Sequence, residues 1–401
     1  VAPISWSASG CVIQLSSTPA PDAGPSVTGN EAGNAGDAGN VGNQNSTTPD
    51  GGVIIDLDFP DSGAPWANVT SNLASLISQC GNLTYVAAKR DEDLLIAGVA
   101  GDGLWGSRNG GQTWTVLGDV DAGSAGIDNR PSDIVFDPAT SNQWWESGIY
   151  GSLGGIYVTM NDGVTFAGLG TVLYNDTVSV DFTDPQRKTL LAGAHETPQR
   201  LWQSLDQGMT WTDIGAALPA GDECPNPYII DSQIYLVGCN RTSTGGQSIY
   251  RSADGGGTWT LVSSEGGMYA ALQASDGSIY WGSPDGALVR STDEGQTWTT
   301  TVPKSTLSFA APVELPDGRI ASLSSNASNQ IVVSSDHGST WKAVTPSLPP
   351  VADGGNGWVG LAYSAQRKMF LAWWWSCPPG NGAVPVPSNA IMSYAFDYQS
   401  P

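Results

Sequence analysis

The chain has 401 residues, 40% of them hydrophobic, which suffices for one large domain and a tail. Its net charge of −23 reflects scarce base, 15 Lys and Arg against 38 Asp and Glu; that balance argues against nucleic acid and disfavours anionic glycans or membrane surfaces as partners. No apolar run is long enough for a transmembrane helix.

In chain order, the first segment is residues 1–15, where Ala8, Ser9 and Gly10 precede Cys11. This resembles the lipobox of bacterial lipoproteins, whose cysteine is lipidated and heads a flexible stalk. Ala8 stands where Leu is commoner, and the first cation is Lys89, so a basic leader is missing from the pattern. Two readings stay open: lipidation of Cys11, or an ordinary secreted protein with a mobile N-terminus. Both place the protein outside the cytoplasm, free or on a bacterial surface or in the periplasm. Residues 16–64 follow as an expected flexible tether, because Ser16 to Gly52 contains no aromatic and no basic residue and cannot bury enough apolar surface to order itself.

From residue 65 the pattern changes. PWANVT (65–70) reads as an isolated outer strand. An octapeptide then recurs six times, at Ser107–Trp114, Thr159–Phe166, Ser204–Trp211, Ser252–Trp259, Ser291–Trp298 and Ser334–Trp341, with spacings of 52, 45, 48, 39 and 43 residues. Periods of this size mark solenoids and propellers. Short apolar runs such as KTLLAGA (188–194) and GSIYWGS (277–283), bounded by Gly, Asp and Pro, read as strands. Each unit is therefore four short antiparallel strands with the octapeptide in the last hairpin. Its third residue (Asn109, Asn161, Asp206, Asp254, Asp293 or Asp336) accepts backbone N–H groups further along, its fifth supplies a glycine with positive φ, and its eighth supplies an aromatic anchor.

The pattern S-x-D-x-G-x-T-W resembles the Asp-box (BNR) repeat of sialidases, xyloglucan-hydrolysing glycosidases, sortilin-type receptors and a photosystem II assembly factor. The resemblance implies a β-propeller over residues 65–401, with the boxes between third and fourth strands, away from the functional face. Three strands after the last box (GWVGLAYS, KMFLAWWW and NAIMSYAFD) make a seventh blade that lacks its fourth. The expected fold is thus an all-β, seven-bladed propeller of four-stranded antiparallel blades, closed when the strand at 65–70 completes the last blade.

Functional groups on such a ring come from loops joining second to third strands and from connections between blades. Those loops carry Arg130, Trp144, Trp145, Glu146, Tyr150, His195, Glu196, Arg200, Arg241, Trp281, Asp285, Trp373, Trp374 and Trp375. Indole faces beside carboxylates suit sugar rings, while propeller cores also pack on aromatics. A sialidase would need an arginine triad and an F/Y-R-I/L-P motif, which DNRPSD (128–133) does not supply. A neutral glycosidase needs only two acids, for which Glu146, Glu196 and Asp285 are the candidates. The xyloglucan hydrolases of the resembled family use two propellers, and this chain has room for one. The first expectation is therefore a recognition module for a glycan or protein ligand, with a glycoside hydrolase acting on neutral polysaccharide as the alternative.

Other signals are faint. Asp119, Asp121 and Asp128 loosely resemble a calcium loop but lack its terminal glutamate, so a solvated connection and no metal cofactor are expected. Cys224 and Cys239 bracket two strands and could bridge within one blade. Ring closure would bring Cys80 to Cys377, leaving Cys11 for a lipid; buried thiols are the alternative. Sequons occur at Asn45, Asn68, Asn82, Asn175, Asn240 and Asn326. The expected assembly is a monomer.

Overall fold

The computed structural model describes residues 54–56, 65–79, 82–118, 126–152, 154–240, 246–308, 310–324, 329–351, 357–377 and 382–399. They form seven four-stranded blades. Blade 1 comprises Leu83–Ala88, Leu95–Val99, Gly103–Ser107 and Thr115–Val116; blade 2, Arg130–Phe136, Trp144–Ile149, Ile156–Thr159 and Ala167–Gly168; blade 3, Asn175–Val180, Leu190–Ala194, Leu201–Ser204 and Thr212–Asp213. Blade 4 is built from Glu223–Ile229, Tyr235–Asn240, Gln247–Ser252 and Thr260–Ser263, and blade 5 from Met268–Gln273, Ile279–Gly282, Leu288–Ser291 and Thr299–Val302. Blade 6 contains Val313–Glu314, Ile320–Leu323, Ile331–Ser334 and Thr340–Ala343. Among the described residues no helix is long and apolar enough to cross a membrane.

Blade 7 closes the ring. Its strands Gly360–Ser364, Met369–Trp373 and Ile391–Ala395 are completed by Ala67–Asn68, which pairs antiparallel to the last of them, Ala67 opposite Ser393 and Asn68 opposite Met392. Trp66 packs on Tyr394 with ring centroids 5.3 Å apart, and the Val69 N–H donates to the Ile391 carbonyl at 2.9 Å. A second tie, Ile77–Ser78 against Val384–Pro385, joins the same two chain ends. One boundary differs from the sequence expectation: Ile54–Asp56, within the span read as a tether, adds a parallel fifth strand to Thr340–Ala343 of blade 6. The apolar run there supplies the β-propensity that the glycine-rich stretch before it lacks.

The second strands of blades 1, 2 and 3 are buried along their whole length. Neighbouring blades cover both faces, which is why LIAGV and LLAGA read as continuous apolar runs rather than alternating ones. The seams hold separate cores: Leu94, Ile96 and Leu104 of blade 1 meet Ile134, Trp144 and Tyr157 of blade 2, and Trp145 and Ile156 meet Val178, Val180 and Leu190 of blade 3. First strands of most successive blades touch one another, so the hub is crowded. There, a Cβ on Gly193 would stand 1.8 Å from the Pro225 carbonyl oxygen, so only glycine lets blades 3 and 4 approach.

The octapeptides fold alike. In Ser291–Trp298, Asp293 Oδ1 accepts from Thr297 N at 2.9 Å and from the Ser291 hydroxyl at 2.8 Å, while Oδ2 accepts from the Thr297 hydroxyl at 2.6 Å. Gly295 N donates to Ser291 Oγ at 2.9 Å with φ at 76°. Where Asn replaces Asp, Asn109 Oδ1 still accepts from Thr113 N at 3.0 Å and its amide donates to the Thr113 hydroxyl at 2.8 Å. The role needs an oxygen acceptor, and both side chains provide one. The terminal aromatics close the seams; Trp114 and Trp341 are almost fully buried.

Candidate functional site

Antiparallel pairing puts the octapeptide turns on one rim of the ring. The starts of first strands and ends of second strands lie on the other, and a polar constellation gathers there from blades 2, 3 and 4. Asp176, near the start of the first strand of blade 3, lies 2.9 Å through Oδ2 from His195 Nδ1, just past that blade's second strand. The other imidazole nitrogen, Nε2, is 2.9 Å from the hydroxyl of Tyr150, which follows the second strand of blade 2. The Tyr150 and His195 rings meet edge to face at 5.1 Å, and Tyr174 stands 6.1 Å from Tyr150. Glu196 Oε1 approaches His195 Nε2 to 3.6 Å.

Bulky residues with positive φ occur on this rim, as they also do in the octapeptide turns of the other. Tyr150, Tyr174, Glu196 and Tyr269 have φ values of 61°, 59°, 48° and 57°, and all three tyrosines are exposed. Bulky residues reach the left-handed region only at a cost of about 1–3 kcal/mol, and such conformations gather at ligand sites. Across the hub, Arg130 at the start of blade 2 lies over the Trp375 ring of blade 7, 5.3 Å from its centroid.

Electrostatics differentiate the acids. Burial alone would lower the His195 pKa, but the Asp176 hydrogen bond and charge, joined by Glu196, outweigh it and raise it above the ordinary histidine value, with Arg130 opposing. Glu223, first residue of blade 4, is raised by burial and by the charges of Glu196 and Asp176, with His195 opposing.

Several residues singled out from the sequence are not on this surface. Trp144, Trp145, Trp281, Trp373 and Trp374 are buried in the seams; the period-two alternation of a strand turns each toward a neighbouring blade, not the solvent. Glu146 corrects the catalytic expectation most directly. It is completely buried between blades 1 and 2, with Asn129 Nδ2 3.3 Å from its carboxyl, and cannot touch a polymer. Burial pushes its pKa up to about 8, the Asn129 hydrogen bond opposing and the Asp133 charge adding. Asp285 is on the rim at blade 5, tied to Lys304 at 2.9 Å and to the Ser283 hydroxyl. Arg200 is paired with Asp213 at 3.4 Å and stacks on Trp202, away from the His195 group. Arg241, Asp119 and Asp121 lie outside the described residues, while Asp128 accepts from Ser152 N at 2.9 Å. Among the described residues no cluster of three or more His, Cys, Asp or Glu could hold a metal ion.

Sequence reasoning missed Asp176, Tyr174, Glu223 and Tyr269. All stand at the entry of a first strand, the position where the chain reaches the hub. Asn82 and Asn175, two of the sequons, are fully buried and serve internal hydrogen bonds. Cys224 and Cys239 form a disulfide joining the first two strands of blade 4. Cys377 is also disulfide-bonded; Cys80, its expected partner, and Cys11 lie outside the described residues.

No family model matches the chain. A xyloglucanase from a Paenibacillus species is 34% identical over 105 residues, a match that spans 22% of this chain and 10% of that enzyme. Among solved structures, YCF48 bound to D1 peptide is 14% identical, with a TM-score of 0.53, over 87% of this chain and 99% of that one. The GH74 xyloglucanase from Xanthomonas campestris is 18% identical, with a TM-score of 0.52, over 82% of this chain and 55% of that one. At these identities the likeness shows the fold alone: the chain is a seven-bladed β-propeller of four-stranded antiparallel blades.

Proposed function

We propose that the rim carrying Tyr150, Tyr174, Asp176, His195 and Glu196 is a recognition surface for a neutral glycan, on a propeller that works outside the cytoplasm. The observation that carries this reading is the set of exposed tyrosines held in left-handed conformations around a hydrogen-bonded histidine. Aromatic faces offer stacking to the C–H faces of sugars, and the carboxylates beside them accept hydroxyl hydrogens. The Trp375 indole and Arg130 extend the surface across the hub. The Paenibacillus xyloglucanase likeness favours a glycan over a peptide, and the Cys224–Cys239 disulfide fits an oxidising compartment. Lipidation of Cys11 and a monomeric state complete the proposal and would be read by mass spectrometry and sedimentation.

The test is titration calorimetry of the full chain with xyloglucan oligosaccharides and other neutral glycans. Tyr150→Ala or Tyr174→Ala should each weaken binding by about tenfold or more, the loss of one stacking partner. Binding that neither variant alters would place the ligand elsewhere.

Glu223, at the same rim and raised by burial and by the Glu196 charge, motivates a second reading, glycoside hydrolysis with Glu223 as acid and Glu196 as base. Release of reducing sugar that disappears in both Glu223→Gln and Glu196→Gln would establish it; binding without release would leave the recognition reading.

A further inference from the structure

The octapeptide turn is closed by its first, third, fifth and seventh residues, as with Ser291, Asp293, Gly295 and Thr297. The second and sixth positions accept any side chain, and in four copies they are polar or small: Arg108 and Gln112, Ala253 and Gly257, Thr292 and Gln296, Ser335 and Ser339. Blades 2 and 3 depart from this. Their residues there are Met160 and Val164, Leu205 and Met209, exposed at 59%, 54%, 62% and 71%. The turn does not need apolar groups at these positions, and paired apolar tips on adjacent turns mark a contact surface.

The two turns are neighbours, since Trp211 Nε1 in the blade 3 turn donates to the Leu169 carbonyl, just past the fourth strand of blade 2, at 3.1 Å. The charges within them are engaged: Asp162 pairs with Lys89 at 2.6 Å, and Asp206 accepts from the Ser204 and Thr210 hydroxyls at 2.8 and 2.6 Å. All four apolar side chains project from tight turns rather than sink into a groove, a shape that offers a folded partner nothing to fill but that a bilayer interface accepts. The path of the chain points the same way. Ile54–Asp56 runs parallel to Thr340–Ala343, with Ile54 opposite Thr340 of the blade 6 turn. Residues 1–53, Cys11 among them, therefore join the propeller at the octapeptide rim and not at the rim of Tyr174 and His195.

We propose that the octapeptide rim of blades 2 and 3 docks on a bilayer of neutral, zwitterionic lipid, with Met160, Val164, Leu205 and Met209 entering the headgroup region. Burial of these apolar groups supplies the attraction. The net charge of −23 repels anionic headgroups, so the lipid is neutral and the docking does not weaken with salt. The rim carrying Tyr174, His195 and Glu196 then faces away from the bilayer, open to a ligand. The lipidation reading of Cys11 explains why a bilayer is at hand, but the test needs only the unlipidated chain.

Flotation of the full, unlipidated chain with phosphatidylcholine vesicles should carry it into the lipid layer, alike at low and high salt, and less well when phosphatidylglycerol is added. Met160→Ser, Leu205→Ser and Met209→Ser should each lower the partition coefficient by about five- to tenfold. Ile77→Ser, at an apolar site of similar exposure, 69%, in the second tie between the chain ends, should leave it unchanged. Glycan titrations should be the same in all four variants, so a failed glycan reading and a failed docking are told apart. A wild-type chain that stays in the aqueous layer overturns the proposal, as does flotation that the Leu205→Ser/Met209→Ser chain retains in full. Flotation that requires anionic lipid or disappears at high salt overturns it too, because charge would then be the attraction. A dimer in sedimentation that the Leu205→Ser/Met209→Ser change dissolves would assign the tips to a second copy and overturn docking on lipid. Flotation of a chain whose Cys11 carries no lipid in mass spectrometry upholds the docking and removes only the anchor.

Discussion

Changing Glu146 to Gln should stabilise the propeller at alkaline pH. The carboxyl is completely buried in the seam between blades 1 and 2, and its pKa rises from 4.5 to about 8. The folded chain therefore holds this proton more tightly than the unfolded chain does. Its stabilisation is fully present below pH 4.5, declines as pH rises through the interval from 4.5 to about 8, and is lost above it. At about 1.4 kcal/mol per pH unit, the interval corresponds to at most about 5 kcal/mol. Gln mimics the protonated acid and brings an N–H that can reach Asn129 Oδ1, a buried oxygen with no partner among the described groups. For a ring of this size the unfolding entropy is about 0.7 kcal/mol/K, so the gain at pH 9 is about 7 °C in Tm, against little change at pH 4.5. The assay is thermal unfolding of wild type and Glu146→Gln from pH 4.5 to 9. Parallel Tm curves across that interval would refute the reasoning. Because the side chain is out of reach of a ligand, glycan binding should survive the change; its loss would return Glu146 to the functional site.

Three other perturbations probe two seams and a cross-link within one blade. Arg187 pairs with Asp137 at 2.8 Å through Nε and at 2.9 Å through Nη2, both side chains nearly buried, joining blades 3 and 2. Arg187→Ala should cost about 3–5 kcal/mol in urea unfolding, because it strands a buried carboxylate. Gly193→Ala must push its new Cβ against the Pro225 carbonyl and should cost about 3 kcal/mol or prevent folding; an unchanged urea midpoint would show that the hub can yield. Cys239→Ser opens a loop closed across a sequence separation of 15 and should cost about 3 kcal/mol; an unchanged urea midpoint would show that the bridge does not stabilise the blade.

The octapeptide was legible because its chemistry is local. A hydroxyl, an oxygen acceptor two residues on and a glycine two further make the turn within themselves, so six copies announced six blades before any long-range contact was known. Ring closure was legible too, since a seventh blade short of one strand and an isolated strand at the other end of the domain have only each other to pair with. Ile54–Asp56 escaped notice because three residues carry too little periodicity to stand out beside a glycine-rich stretch. The tryptophans and Glu146 were misplaced for a different reason: the second strands are covered on both faces, so alternation cannot tell a residue that faces the next blade from one that faces solvent. The relay of Asp176, His195 and Tyr150 is further still from the sequence. Its members are 19 and 45 residues apart and meet only because successive blades bring their loops to a common rim. Local hydrogen-bonding chemistry thus determined the blade, its repetition and its closure, whereas the packing of blade on blade decided which polar side chains were sealed in the seams and which were gathered at the rim.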